Sequence, residues 1–354
     1  MKRKYIIELI ISSAIIIASC GNNNQQKVNA EKENADKELL AKAQNTFMPL
    51  PVVAESVTNP LTAEKTELGK LLYFDTRLSK TGNNSCNSCH NLATYGVDNE
   101  PTSPGDAGRR GDRNSPTTFN AALHIAQFWD GRAADVEEQA GGPILNPVEM
   151  AMPNEATLIK RLKEVEMYRE KFAAAFPNDK DPFTYKNITH AIAAFERTLL
   201  TPSKFDDYLK GNINALNDEE KAGLRTFMDA GCTACHSGVT LGGSMYMKFG
   251  LINDYRPLTK SVKEDLGRFA VTKNESDKNV FKVPSLRNVT KTYPYFHDGS
   301  VATIEDAVRI MGKTQLNKDL NDDEIKSIVT FLETLTSDLP EATKQAPKEL
   351  ALVK

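Results

Sequence analysis

Histidine, cysteine and tryptophan are scarce in this 354-residue chain, at five, five and one. Four of the cysteines fall in two copies of one short pattern and the fifth is Cys20, so no pair remains for a disulfide framework. A basic excess is missing as well. With 44 basic against 47 acidic residues the net charge is −3, which excludes the electrostatic signature of a nucleic-acid binder. Beyond the N-terminus there is no apolar run long enough to span a bilayer.

What is present begins with Lys2, Arg3 and Lys4, followed by the short apolar run "YIIELIISSAIIIAS", which Glu8 interrupts. That is the shape of a secretory signal and not of a spanning helix. It closes in "IASC", residues 17–20, which resembles the lipobox of bacterial lipoproteins. Residues 1–20 are therefore expected to be a lipoprotein signal peptide, with a periplasmic protein held to a membrane through lipid on Cys20. The alternative is an ordinary signal peptide in which Cys20 is incidental. Residues 21–46 are polar and read as a flexible tether with a reach of about 25–30 Å if coil-like, part of "KELLAKAQ" being helical.

Helical spacing dominates the rest, and alternating strands are scarce. Leu68, Leu71 and Leu72 form one apolar face, and Ala222, Phe227 and Met228 a comparable one. Ile188, Ile192, Phe195 and Leu199 mark a third helix; Ile325, Ile328, Val329, Leu332 and Leu335 mark a fourth, opened by Asn321 with Glu324 as a capping box. The order repeats: helix, cysteine pattern, loop-rich interior, closing helix. Gly69 and Asp75 match Gly223 and Asp229, with an eight-residue insertion before the first cysteine pattern. The expectation is a mainly α chain with long loops and little β, in two domains, residues 47–200 and 201–354.

The pattern itself is CxxCH: Cys86, Cys89 and His90, then Cys232, Cys235 and His236. A CxxC alone suits a redox dithiol or half a zinc site. The adjacent histidine suits haem c. Two thiols at this spacing reach the two vinyl groups of one porphyrin, and the imidazole becomes the proximal iron ligand. Two copies predict two covalently bound haems.

Three segments then carry a family resemblance: "NSPTTFNAALHIAQFWDGRAADVEEQAGGPILNPVEMAMP" (114–153), "FKVPSLRNVTKTYPYFHDGS" (281–300) and "DAVRIMGKTQL" (306–316). With both haem motifs in register, the chain resembles the bacterial di-haem cytochrome c peroxidases over roughly residues 52–340. The resemblance implies two cytochrome c-like haem domains that reduce hydrogen peroxide to water. Peroxide would react at the N-terminal haem, and electrons would enter at the C-terminal haem from a cytochrome c or a small copper protein. It implies Glu149 and Gln139 as the catalytic pair, and Trp129 between the haems in electron transfer. It implies Met311 as sixth ligand opposite His236, with Met245 and Met247 as competitors, and His297 near the haems. It further implies calcium held by Asn114, Thr292 and Pro294, and a homodimer as the usual assembly. Related di-haem enzymes that oxidise a protein carry tyrosine at the Met311 position.

One departure stands out. Many family members carry a histidine in the loop after the first CxxCH that blocks the iron until the other haem is reduced. Here that position is Asp106, and no histidine lies between His90 and His124. Unless His124 substitutes, the peroxidase is expected to work without pre-reduction. The competing readings are a lipid-anchored di-haem electron carrier without substrate chemistry, and a haem enzyme acting on a protein or organic reductant.

Overall fold

The computed structural model describes the backbone from Ile7 to Leu352 and the side chains from Gln26 to Leu352. The helices that frame the site are α1 (Ile7–Thr46), α2 (Ala63–Phe74), α3 (Val136–Leu145), α4 (Tyr185–Glu196), α5 (Lys204–Leu209), α6 (Asp218–Ala230), α7 (Ile304–Leu316) and α8 (Asp322–Glu333). Among the described residues the sheet is one antiparallel pair, β1 (Tyr246–Lys248) with β2 (Val280–Lys282), in which Tyr246 opposes Lys282. The chain is mainly α, as its periodicity predicts. Cys20 and the segment before it lie outside the residues whose side chains are described. Among the described residues no helix is long and apolar enough to cross a membrane.

Each half is built on one pair of helices. Thr62 and Thr184 cap α2 and α4, their hydroxyls accepting from Lys65 N–H and Asn187 N–H. Asn217 with Glu220 and Asn321 with Glu324 form capping boxes on α6 and α8, the second as the sequence predicts. Leu68, Leu71 and Leu72 of α2 then bury against Ile188, Ile192 and Phe195 of α4. Leu224 and Phe227 of α6 bury against Ile325, Ile328, Phe331 and Leu332 of α8. In both pairs the backbones meet at a glycine: a Cβ at Gly69 would overlap the Ala191 carbonyl, and one at Gly223 the Ser327 carbonyl. The two glycines matched in the sequence thus make the same helix crossing in both halves.

The segment expected to be a free tether is helical in its described part and docked. Leu39, Ala43 and Phe47 pack into the core of the second half beside Phe205 of α5 and Phe227 of α6. Leu39 and Ala43 share one face of α1, and Phe47, the residue just past its end, continues that stripe. Asp36 on the same helix accepts from Lys221 Nζ and Arg225 Nη2, both at 2.8 Å. This overturns one detail of the expected α6 face: Ala222 is exposed, and Lys221 is buried with its charge paired. Leu50 N–H donates to the Asp206 carboxylate at 2.7 Å, and Asp206 grips Arg287, both side chains wholly buried.

The opposite exchange occurs at the other terminus. Leu339 and Leu350 pack on the first core, and Lys70 Nζ donates to the Ala342 carbonyl. The two cores divide near residue 200, but each chain end crosses to the other half.

Replacing Gly69 or Gly223 by alanine should push its helix pair apart. The expected cost is that of core overpacking, about 1–3 kcal/mol, read as a lowered urea midpoint at unchanged slope.

Candidate active site in two cavities

Each CxxCH segment follows the helix whose glycine crossing fixes its place. Cys86–Cys89 form a single helical turn and Cys232–Ala234 a single 3-10 turn, so the two cysteines and the histidine of each copy face one cavity. The Nδ1 of His90 lies 2.9 Å from the Pro116 carbonyl, and that of His236 lies 3.0 Å from the Leu241 carbonyl. A carbonyl only accepts, so Nδ1 carries the proton and Nε2 keeps its lone pair. Burial lowers both imidazoles, favouring the neutral form that ligates a metal. Burial also pushes the four thiols up, Cys89 and Cys232 to about 11, so none is a thiolate nucleophile at neutral pH. Among the described residues no three His, Cys, Asp or Glu side chains gather as a metal cage, which removes the geometry a zinc site needs. The residues present fit a covalently held haem in each cavity.

The first cavity brings Gln139 and Glu149 together with Cys86, Cys89 and His90. Gln139 comes from α3, which Asp135 caps, and Glu149 from the turn after it, where its N–H donates to the Asn146 carbonyl. Burial raises the Glu149 carboxyl above the usual range, with Arg132 and Asn146 opposing. Arg132 is held 3.5 Å over the Phe128 ring and paired with Asp130. Glu196 on α4 also lines this cavity at 4 % exposure. Burial and the charge of Glu137 push it up to about 8, against the pull of Arg197.

Asp106 does not line the cavity. Its carboxylate accepts from the Thr81 N–H at 3.0 Å and the Thr81 hydroxyl at 2.8 Å, and its own N–H donates to the Glu149 carbonyl at 2.7 Å. Burial works against that charge, but the hydrogen bonds from Thr81 and Ser79 prevail and hold Asp106 below the usual carboxylate range. The neighbouring Gly105 is pressed against the Val148 carbonyl, where no Cβ fits. The loop is thus fastened to the segment that carries Glu149.

The second cavity is lined by His236, Met311, Met247 and His297, and also by Asn114, Thr292 and Pro294; Met245 is not among its walls. His297 is 2 % exposed, its ring stacked on Phe281 with centroids 4.4 Å apart. Trp129 lines both cavities, and its Nε1–H donates to the Asn114 carbonyl at 2.9 Å. Beside it Arg113 forks between Asp130 of the first half and Asp265 of the second, at 2.6–2.8 Å. His124 lines the second cavity and is not among the walls of the first.

Sequence reasoning missed Arg132, Glu196, Thr81 and Lys282. Arg132 stands in the quoted "FWDGR", two residues after Asp130, and was the one within reach. Glu196 interrupts an apolar helix face, which is a signal of a buried carboxyl.

Two CxxCH segments, each backing its own cavity with a neutral imidazole, define a di-haem c-type protein. The profile of the family described as di-haem cytochrome c peroxidase matches residues 63–214. The chain is 50 % identical over 292 residues to the cytochrome c551 peroxidase of Nitrosomonas europaea, covering 82 % of this chain and 85 % of that protein. It is 48 % identical over 305 residues to the cytochrome c551 peroxidase of Pseudomonas aeruginosa, covering 85 % and 87 %. A MauG-like protein associated with microbial copper homeostasis shares the fold with a TM-score of 0.74 at 30 % identity, covering 84 % and 96 %. The chain belongs to the di-haem cytochrome c peroxidase family, a class of haem-dependent oxidoreductases.

Glu196 should leave a mark on the pH dependence of stability. Its carboxyl is protonated in both states below the ordinary glutamate range of about 4.5. From there to about 8 the unfolded chain releases the proton and the folded one keeps it, so stability falls as pH rises, by up to about 1.4 kcal/mol per pH unit. Glu196→Gln should flatten that slope in urea titrations of the holoprotein between pH 6 and 8.

Proposed function

We propose that the chain reduces hydrogen peroxide to water in the first cavity, with electrons arriving through the second. The observation that carries this reading is the division of residues: Gln139 and Glu149 line the cavity of the first CxxCH, and Met311 lines that of the second. Haem bound at each CxxCH supplies the redox chemistry, two electrons in all for each O–O bond broken. The chain supplies the rest. Glu149, its carboxyl raised by burial, takes the proton from one peroxide oxygen and returns it to the other, which leaves as water. The Gln139 amide donates a hydrogen bond that holds the departing oxygen.

Met311 and His236 would hold the haem of the second cavity, a pair that would raise its potential and suit acceptance of electrons from a small periplasmic redox protein, a cytochrome c or a small copper protein. Methionine here also favours peroxidase chemistry over oxidation of a protein substrate. Trp129, in the walls of both cavities, carries electrons between them. Asn114, Thr292 and Pro294 hold calcium between the halves. In support, the Asn114 Nδ2 is committed to the Glu100 carbonyl, which turns its Oδ1 elsewhere, and Asn99 ties down the Lys291 and Tyr293 carbonyls on either side of Thr292. Lipid on Cys20 holds the enzyme to a membrane facing the periplasm, and the enzyme assembles as a homodimer.

With Asp106 fastened to Thr81, its side chain would leave a haem held in the first cavity open at rest. The diferric holoprotein should show a high-spin EPR signal and react with peroxide without prior reduction. A bis-histidine low-spin signal for the first haem would overturn the ungated reading. Glu149→Gln should cut kcat by about 10²–10⁴; unchanged turnover would remove Glu149 from the acid–base role.

A further inference from the structure

At the end of the second cavity nearest the first half, a buried cation faces inward without an anion. Lys282, the last residue of β2, is 7 % exposed, and its backbone N–H donates to the Trp129 carbonyl at 2.8 Å. Its Nζ makes one hydrogen bond, to His124 Nδ1 at 3.0 Å. No carboxylate of the described residues lies within 4.0 Å of it, although most buried cations in this chain, such as Lys221 and Arg287, have one. An ammonium only donates, so His124 Nδ1 accepts and the imidazole proton sits on Nε2. That Nε2 is buried with no hydrogen-bond partner. Gly243 closes over the imidazole, where any Cβ would strike the ring, so the orientation is fixed. Lys282, held at its Nζ by His124, therefore presents a charged donor to that cavity.

An ammonium with N–H bonds left over after His124 fits a carboxylate. A porphyrin fixed by thioethers at Cys232 and Cys235 carries its two carboxylates on the edge away from those bonds. Cys232 packs in the apolar core of the second half, whereas Lys282 and His124 lie beside Trp129 at the junction with the first. We propose that Lys282, positioned by His124, forms a clamp for a propionate of the C-terminal haem, placing its carboxylate edge against Trp129 and raising that haem's potential by the fixed positive charge. Burial alone pushes Lys282 down to about 8, and a propionate supplies the charge that keeps it an ammonium. Because the reduced iron carries one positive charge less, a cation nearby favours reduction. The clamp rests on haem occupying the second cavity, as proposed above.

The test is spectroelectrochemical titration of both haems in holoprotein carrying Lys282→Met, Lys282→Arg or His124→Gln. A pyridine haemochrome spectrum first confirms two c-type haems, so a failure of haem attachment is seen separately from a failure of the clamp. In Lys282→Met the midpoint of the C-terminal haem should fall by about 59 mV, a tenfold change in its one-electron equilibrium, while the other haem stays put. Lys282→Arg should restore most of the shift. An unmoved C-terminal midpoint, or an equal fall at both haems, would overturn the clamp. If Lys282→Met yields no holoprotein, His124→Gln decides: a smaller fall confined to the C-terminal haem supports the clamp, and no change refutes it.

Discussion

Two helix crossings, each closed to backbone contact by a glycine, govern where everything else in this molecule lies. Gly69 lets α2 rest on the carbonyls of α4, and Gly223 lets α6 rest on those of α8. The cysteines that follow α2 and α6 thereby acquire fixed positions with no more than a single helical turn of their own. Long loops can then wrap each cavity, because their ends are pinned by helices that cannot slide. The halves differ where the first carries its eight-residue insertion, between Asp75 and Cys86. That insertion contains Thr81, which grips Asp106. A difference in length between two copies thus becomes a difference in how a cavity mouth is held.

The proximal sides of the two cavities are alike, each imidazole committed through Nδ1 to a backbone carbonyl. The far sides diverge. Gln139, Glu149 and Arg132 make the first polar, and Met311, Met247 and Phe249 make much of the second apolar and soft. One scaffold therefore carries two chemically different cavities, one polar and one largely apolar.

Helices, their caps and the paired CxxCH segments were all legible, because each rests on local spacing. Docking of α1 was not. Its polar composition outweighed the stripe Leu39, Ala43 and Phe47, and Asp36 acquires meaning only once Lys221 and Arg225 are beside it. Burial of Lys221 in place of Ala222 has the same origin: a helix face is apolar on average, but a charge enters the core when its partner comes from 185 residues away. The exchange of chain ends between the cores was equally invisible, since no local rule records which core a terminal leucine will meet. At the site, the residues recognised by family pattern do gather in the two cavities. Lys282 and Glu196 escaped notice because their roles come from burial, which periodicity does not report.

Trp129 has a consequence of another kind. It is the only tryptophan in the chain, and backbone groups of both halves hold it: its indole donates to Asn114, and its carbonyl accepts from Lys282. Its emission therefore comes from one place, the seam between the halves, where porphyrins held in the two cavities would drain it by energy transfer. The molecule carries its own optical gauge of that seam, and slippage between the halves would register as a change in brightness with no label attached.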